Sequence, residues 1–311
     1  MRKTKVYLVS LFILLFALTG CGNNANRDTL SESGDKIYKV GVTQYVAHPA
    51  LDLDRQGFLA QMKEEGFIEG QNIEFDLKNS QGDPNLAKTI ADKFVADKVD
   101  VILAITTPSS QAAAQATKGS DIPVVFIAVS DAVGSGLIAE LDQPTRKNIT
   151  GVYSADPVEQ QMDLILEVQP DAKRLGVIYN AGEANSASNV QRIKKYLEGK
   201  MEVAESSVAS SNEVMSAVEA LIKVCQDYDL PLYTGDTESV KKGALATLGN
   251  DEYDCGRQGA VLVARILNGE KVGEIVPEEI RKRTLLINNK KAGEYGISIP
   301  QPVLERADEV I

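Results

Sequence analysis

The chain has no tryptophan and a single histidine, His48, among its 311 residues. One histidine excludes a multi-histidine metal centre, and no zinc-ligand spacing links it to the three cysteines, so neither a metal nor a cofactor is expected. Positive charge is scarce: 33 Lys and Arg stand against 44 Asp and Glu, a net charge of −11. Such a chain repels nucleic acid and has no polybasic segment to hold a membrane. Three cysteines do not make a disulfide framework; Cys225 and Cys255 are expected as reduced, small core residues, with pairing outside the cytosol as the alternative. Also missing are G-x-G-x-x-G, the P-loop and G-x-S-x-G, and the lone histidine has no matched nucleophile. Carboxylates are plentiful, yet no pair is spaced for acid–base work, so no enzyme is expected. Nor is there an apolar run long enough for a membrane-spanning helix, which takes roughly 20 residues.

The longest apolar run, Val6 to Leu18 (VYLVSLFILLFAL), is short and follows Arg2, Lys3 and Lys5. That combination is the h-region and basic flank of a secretory signal peptide. Leu18-Thr19-Gly20-Cys21 resembles the bacterial lipobox, in which the cysteine is lipidated and becomes the mature N-terminus. An ordinary secretion signal that contains a cysteine is the alternative. Residues 1–21 thus read as a lipoprotein signal, Cys21 as the lipidation site, and 22–36 (GNNANRDTLSESGDK) as a polar, flexible tether. With no basic patch, the lipid has to anchor the chain, and a diacylated cysteine supplies the two acyl chains that stable anchoring takes.

From Ile37 the chain settles into alternating short apolar strands and amphipathic helices. Strands are predicted over Ile37–Gln44, Asn72–Leu77, Val99–Ile105, Pro123–Val129 and Asn148–Tyr153. Helices are predicted over Asp52–Glu65, from Asp83-Pro84 to about Ala96, over Ser109–Lys118, and from Asp156 to Val168. Asp83 and Pro84 supply an N-cap and a first-turn proline. Val99–Ile105 is almost wholly apolar, as in a parallel sheet covered on both faces. The rhythm restarts at Arg174: strands over Arg174–Asn180, Glu202–Val208, Leu230–Thr234, Ala244–Leu248 and Thr284–Asn288, with helices over Asn185–Glu198, Asn212–Asp227 and Glu252–Leu267. This is α/β architecture with parallel sheets in two Rossmann-like lobes.

The stretches GVTQYVAHPALD (from Gly41), ITTPSSQAAAQAT (from Ile105), PVVFIAVSDAVGSGL (from Pro123), LGVIYNAGEANS (from Leu175) and GALATLGNDEYDCGRQ (from Gly243) carry a resemblance. Together they resemble the ABC-type substrate-binding lipoproteins with a type I periplasmic-binding fold, some of which bind tryptophan or tyrosine. The resemblance implies a two-lobed clamp: 37–150 plus 252–280 as the first lobe, 151–251 plus 281–311 as the second, with crossings near 151–156, 249–252 and 281–284. Ligand would lie between the lobes, at the C-terminal ends of the strands, where helix N-termini offer free N–H groups to a carboxylate.

Candidate contacts follow from those strand ends. Gln44, Tyr45 and His48 follow the first strand; His48 is either a contact or a turn residue beside Pro49. Thr106, Thr107 and Ser109 begin the third helix, to hold a carboxylate, to cap, or both. Ser130 and Asp131 follow the fourth strand, with Asp131 an ammonium partner or a cap. Asn180, Glu183, Asn185 and Ser186 follow the second lobe's first strand. Asp236, after LPLYT, is either an ammonium partner or a loop cap. Tyr45, Tyr153 and Tyr179 are aromatic walls for a side chain or ordinary core tyrosines.

The second lobe breaks its own rhythm. The resemblance implies a further strand–helix unit here, but Ser216–Ile222 runs straight into Lys223–Tyr233, which reads as one helix fused from the front of one and the back of the next, so the unit is expected to be missing. The missing strand would be central in a sheet ordered 2-1-3-4-5. Either Leu230–Thr234 slides into its place, or the lobe is gapped and weakened. The expected role is extracytoplasmic capture of a small solute, an amino acid with an aromatic lean, by a monomer that delivers it to an ABC permease. A ligand sensor facing a membrane receptor and a truncated, non-binding paralogue are the alternatives.

Overall fold

The computed structural model describes residues 36–145, 147–209, 221–225 and 227–311. The signal segment, Cys21 and most of the tether lie outside the described residues, as does the greater part of the helix expected over Asn212–Asp227. Among the described residues no helix is long and apolar enough to cross a membrane.

The first sheet has six strands in the order β2-β1-β3-β4-β5-β9, all pairs parallel. Its strands are β1 (Tyr38–Gln44), β2 (Ile73–Asn79), β3 (Val101–Ile105), β4 (Val124–Val129), β5 (Ile149–Tyr153) and β9 (Glu278–Glu279). Every residue of β3 is buried, because both faces are covered. Leu103 and Ile105 meet Phe58 and Met62 of α1 (Pro49–Glu64) and Leu262 of the Glu252–Leu267 helix. Ile102 and Ala104 meet Phe94 of α2 (Pro84–Ala96) and Ala113 of α3 (Thr107–Ala116). Alternation along one strand thus feeds two cores. Asp83 caps α2 as its sequence predicts, Oδ1 accepting from the N–H of Asn85 (2.7 Å) and Leu86 (3.3 Å).

α1 starts at Pro49, three residues earlier than its apolar spacing suggests. His48 is the reason: its Nδ1 accepts from the Ala50 N–H at 3.2 Å, and Pro49 occupies the first turn. α1 and the long helix cross in very close contact. A Cβ on Gly57 would lie 2.0 Å from the Tyr253 carbonyl oxygen, so only glycine permits the approach.

The rest of the sheet structure is divided. β6 (Arg174–Asn180) and β7 (Glu202–Val208) form a parallel pair. Leu175 and Val203 from this pair join Met162 and Ile165 of α4 (Val158–Val168) and Leu197 of α5 (Ala184–Leu197) in one core. β8 (Ala246–Asn250), β10 (Arg283–Ile287) and β11 (Glu309–Val310) form a separate sheet ordered β11-β10-β8, with β10 antiparallel to β8.

The strand expected over Leu230–Thr234 shrinks to a single bridge, Tyr233 to Ala246. Two hydrogen bonds hold it to β8: Leu245 N–H to Leu232 carbonyl at 2.7 Å and Thr234 N–H to Ala246 carbonyl at 3.2 Å. Among the described residues nothing pairs this segment with β6. Among the described residues, the slide of this segment into the central place is therefore not observed. Pro231 gives a reason: it lacks the N–H that a central strand must donate on one side. Tyr233 spans the interruption, packing against both the Leu164–Leu285 core and the Met162–Leu197 core. Its hydroxyl donates to Gln169 Oε1 at 3.1 Å. Cys225 and Cys255 are both buried and unpaired.

Candidate functional site

The C-terminal ends of β1, β2 and β3 gather hydroxyl groups that bond to nothing. Thr43 Oγ1 in β1, Ser80 Oγ just after β2, and Thr106 Oγ1, Thr107 Oγ1 and Ser109 Oγ at the start of α3 are all buried without a hydrogen-bond partner. Each unsatisfied buried group costs about 1–3 kcal/mol. The backbone is strained at the same place. Thr106, the N-cap of α3, has φ 82 and ψ 161, a region that essentially only glycine occupies, and its side chain makes no cap bond. Pro108 has no N–H, so Thr107 and Ser109 supply the first-turn amide donors of α3.

Several expected contacts are engaged in local structure. Gln44 is buried and its Nε2 donates to the Val46 carbonyl (2.8 Å) and Asp52 Oδ1 (3.2 Å). The Tyr45 hydroxyl donates to the Gly82 carbonyl at 3.0 Å; burial raises its pKa, with the Glu183 and Asp83 charges adding to the effect. His48 caps α1. Asp131 Oδ1 accepts from the Gly134 N–H at 2.6 Å. Asp236 accepts from both the N–H and the hydroxyl of Ser239, each at 2.8 Å, and so caps the Thr237–Lys241 helix.

After β6, Asn180 Nδ2 donates to Glu183 Oε1 at 3.1 Å and its Oδ1 accepts from the Gly182 N–H at 2.9 Å. Glu183 is the N-cap of α5, and Asn185 Oδ1 is buried without a partner. Ser186 lies in the first turn of α5, half-buried. Tyr153, half-buried at the end of β5, packs against the Phe94–Phe126 core. Tyr179 is half-buried within β6.

The structure adds residues that the strand ends did not single out. Asp156, after β5, accepts from Asn189 Nδ2 of α5 at 2.5 Å and from the Ser130 hydroxyl after β4. Burial raises its pKa, against the opposing pull of those two bonds and of Arg192 and Arg283. Next to it Arg192 grips Glu159 at 2.6 and 3.3 Å, which holds the Glu159 carboxyl below its usual range. A cavity of about 100 Å³ is lined by Leu53, Asp236, Asp251, Glu252 and Tyr253 among others. Thr43 and Ser80 had one sequence signal each, a hydroxyl inside or directly after a buried strand. Asp156 had none beyond its place at the head of a helix.

Orphan hydroxyls, a strained helix start and buried carboxylates at the ends of parallel strands suit capture of a polar small molecule. A model of the ABC transporter substrate-binding protein family matches residues 39–220 and 200–311. The tyrosine-binding protein of Clostridioides difficile is 34% identical over 298 residues, covering 87% of this chain and 86% of that protein. A domain from Streptococcus pneumonia solved in complex with L-Trp is 31% identical, with TM-score 0.82, covering 89% of this chain and 100% of that one. A ligand-free, open substrate-binding protein with adhesive properties from Clostridium difficile is 32% identical, with TM-score 0.68, covering 88% and 99%. The fold is that of type I periplasmic-binding proteins. Two family matches that together run from the first strand to the last residue, on a fold shared with solute-captured relatives, settle the kinship: this chain belongs to the ABC transporter substrate-binding proteins, a family of solute binders and not of enzymes.

Proposed function

We propose that this protein captures an amino acid, with a preference for an aromatic side chain, and hands it to an ABC permease outside the cytoplasm. It acts as a monomer tethered to the membrane through a lipidated Cys21. The clamp consists of the lobes 37–150 plus 252–280 and 151–251 plus 281–311, closing about the crossings near 151–156, 249–252 and 281–284.

The observation that carries the reading is the set of unpartnered hydroxyls at the start of α3, beside the Thr106 backbone outlier. A carboxylate placed there accepts from the Thr107 and Ser109 N–H groups and from the hydroxyls, at the positive end of the helix dipole. It would satisfy groups that are otherwise buried at a cost. An ammonium group has Asp131 and Asp236 to meet, since their cap bonds leave acceptor capacity on each carboxylate. Gln44, His48, Ser130, Asn180, Glu183, Asn185 and Ser186 complete the rim. Tyr45 and Tyr153 supply aromatic faces. Support for the aromatic class comes from the tyrosine-binding and tryptophan-bound relatives. The likeness to the tryptophan complex exceeds that to the open form at nearly equal identity, which supports a closed arrangement for this chain.

Calorimetry with tryptophan, tyrosine, phenylalanine, leucine, glutamate and a sugar tests the reading. Binding of at least one aromatic amino acid in preference to the sugar is expected; no heat from any amino acid overturns it. The divided second sheet favours one further reading, a paralogue that has lost binding. Inserting the missing strand–helix unit from the tyrosine-binding relative separates the two, because a lost site regains binding and an intact one gains nothing. Uptake of labelled solute into cells, lost with the gene, separates import from sensing.

A further inference from the structure

Asp54 of α1 and Glu252, the first residue of the long helix, meet inside the protein. Asp54 is 0% exposed, and neither of its oxygens has a hydrogen-bond donor; Glu252 Oε2 is buried and equally unpartnered. One oxygen from each and the Cys255 sulfur lie within 4.8 Å of one another. No Lys or Arg makes an ion pair with either carboxyl among the described residues. Two ionised carboxylates in such a place would bear both the desolvation cost and their mutual repulsion. A single proton removes the conflict, since it turns one acceptor into a donor aimed at the other.

We propose that Asp54 and Glu252 hold one proton between them at neutral pH, and that this proton biases the crossing between the two halves toward its closed arrangement. The second part rests on the clamp reading above; the first does not.

The surroundings set the direction. Asp156 after β5, Asp236 after the Tyr233 bridge, and Asp251 after β8 all face Glu252 with like charge. Lys282 neutralises Asp251 at 2.5 Å, and Arg192 and Arg283 act on Asp156. Among the described residues Asp236 makes no ion pair; Lys241 lines the same cavity but bonds to Glu238. The third neighbour, Cys255, is held as a thiol by burial and by the charges of the two acids, against the opposing pull of the Ala128 backbone N–H. A neutral Glu252 lets the acidic groups of the second half approach; an ionised one repels them. Burial and the paired charge both lift the native carboxyls above their ordinary range. Between the ordinary carboxylate range and that lifted range the native state binds more protons than the unfolded one. Stability from the pair is therefore present at low pH and lost as pH rises through this window.

The test is denaturant unfolding of the full chain from pH 5 to pH 9, for wild type, Asp54→Asn and Glu252→Gln. Wild type is expected to lose about tenfold or more in its folding equilibrium constant across the range, and each variant under about threefold. Because either variant can fail to fold, the infrared carbonyl stretch of a protonated carboxylic acid is read on wild type at pH 7. Its presence supports the shared proton, and its absence overturns it. A flat wild-type stability profile overturns it as well. So does stoichiometric zinc in the purified protein whose removal by chelator abolishes the pH dependence, because the three groups then hold a metal. Small-angle scattering at pH 5 and pH 9 reads the clamp. Equal dimensions with an intact stability effect would overturn the closing bias alone and leave the proton pair standing.

Discussion

Gly256 of the long helix sits so close to Asp54 that a Cβ added to the glycine would lie 1.8 Å from the Asp54 carbonyl oxygen. Two helices at that distance cannot accept a methyl group without parting. Gly256→Ala should destabilise the fold by about 3 kcal/mol or more, at the upper end of overpacking effects. Chemical denaturation reads the loss, and a change under about 1 kcal/mol would mean the crossing has slack that the packing does not show.

Thr106 is strained where a ligand is expected. Relief of its backbone by Thr106→Gly returns about 1–3 kcal/mol, set against roughly 0.5–1 kcal/mol for the freedom glycine adds to the unfolded chain. The variant should be more stable by about 1 kcal/mol and should bind the amino acid more weakly. Thermal unfolding and calorimetry on the same preparation check both signs. A destabilised variant would place the origin of the strain elsewhere.

Ser109 and Thr107 carry hydroxyls that bond to nothing within the protein. Their removal should therefore cost no stability. Ser109→Ala and Thr107→Val are expected within about 0.5 kcal/mol of wild type or slightly stabilised, while ligand affinity falls about tenfold each, the value of one hydrogen bond to a charged group. A variant that loses stability and keeps affinity would assign these hydroxyls to the fold.

β6 pairs with β7 alone among the described residues, and a lone pair of strands is marginal without packing. Hydrogen exchange should find the β6 and β7 amides opening at a lower free energy than those of β3, which lies mid-sheet and wholly buried. Equal protection would show the second half to be knit as firmly as the first.

Much of the fold can be read along the chain. The long helix occupies the predicted Glu252–Leu267, and β6 and β7 match their expected spans, because each carries its own periodicity and stop signals. Boundaries moved where a side chain far from the pattern intervened: β8 runs Ala246–Asn250 instead of Ala244–Leu248, set by antiparallel register with β10. β9 and β11, two residues each, have no periodicity to read and exist only because a neighbouring strand offers an edge. The candidate site divides in the same way. Asp131 and Asp236 are legible as possible caps and the structure places them so, whereas His48, legible as a contact or a turn residue, proves to be the N-cap of α1. Ser130 turns instead to Asp156, and Thr43 and Ser80 are left without side-chain partners, outcomes that no local spacing encodes.

The sequence alone determined the alternation of strand and helix, the acidic balance and several cap residues, since each depends on residues only a few places apart. Tertiary structure decided which hydroxyls are left without partners, that the second sheet stays divided at Pro231, and that Asp54 meets Glu252. Those outcomes depend on which distant segments exclude water from one another, and burial of that kind has no signature in any short stretch of chain.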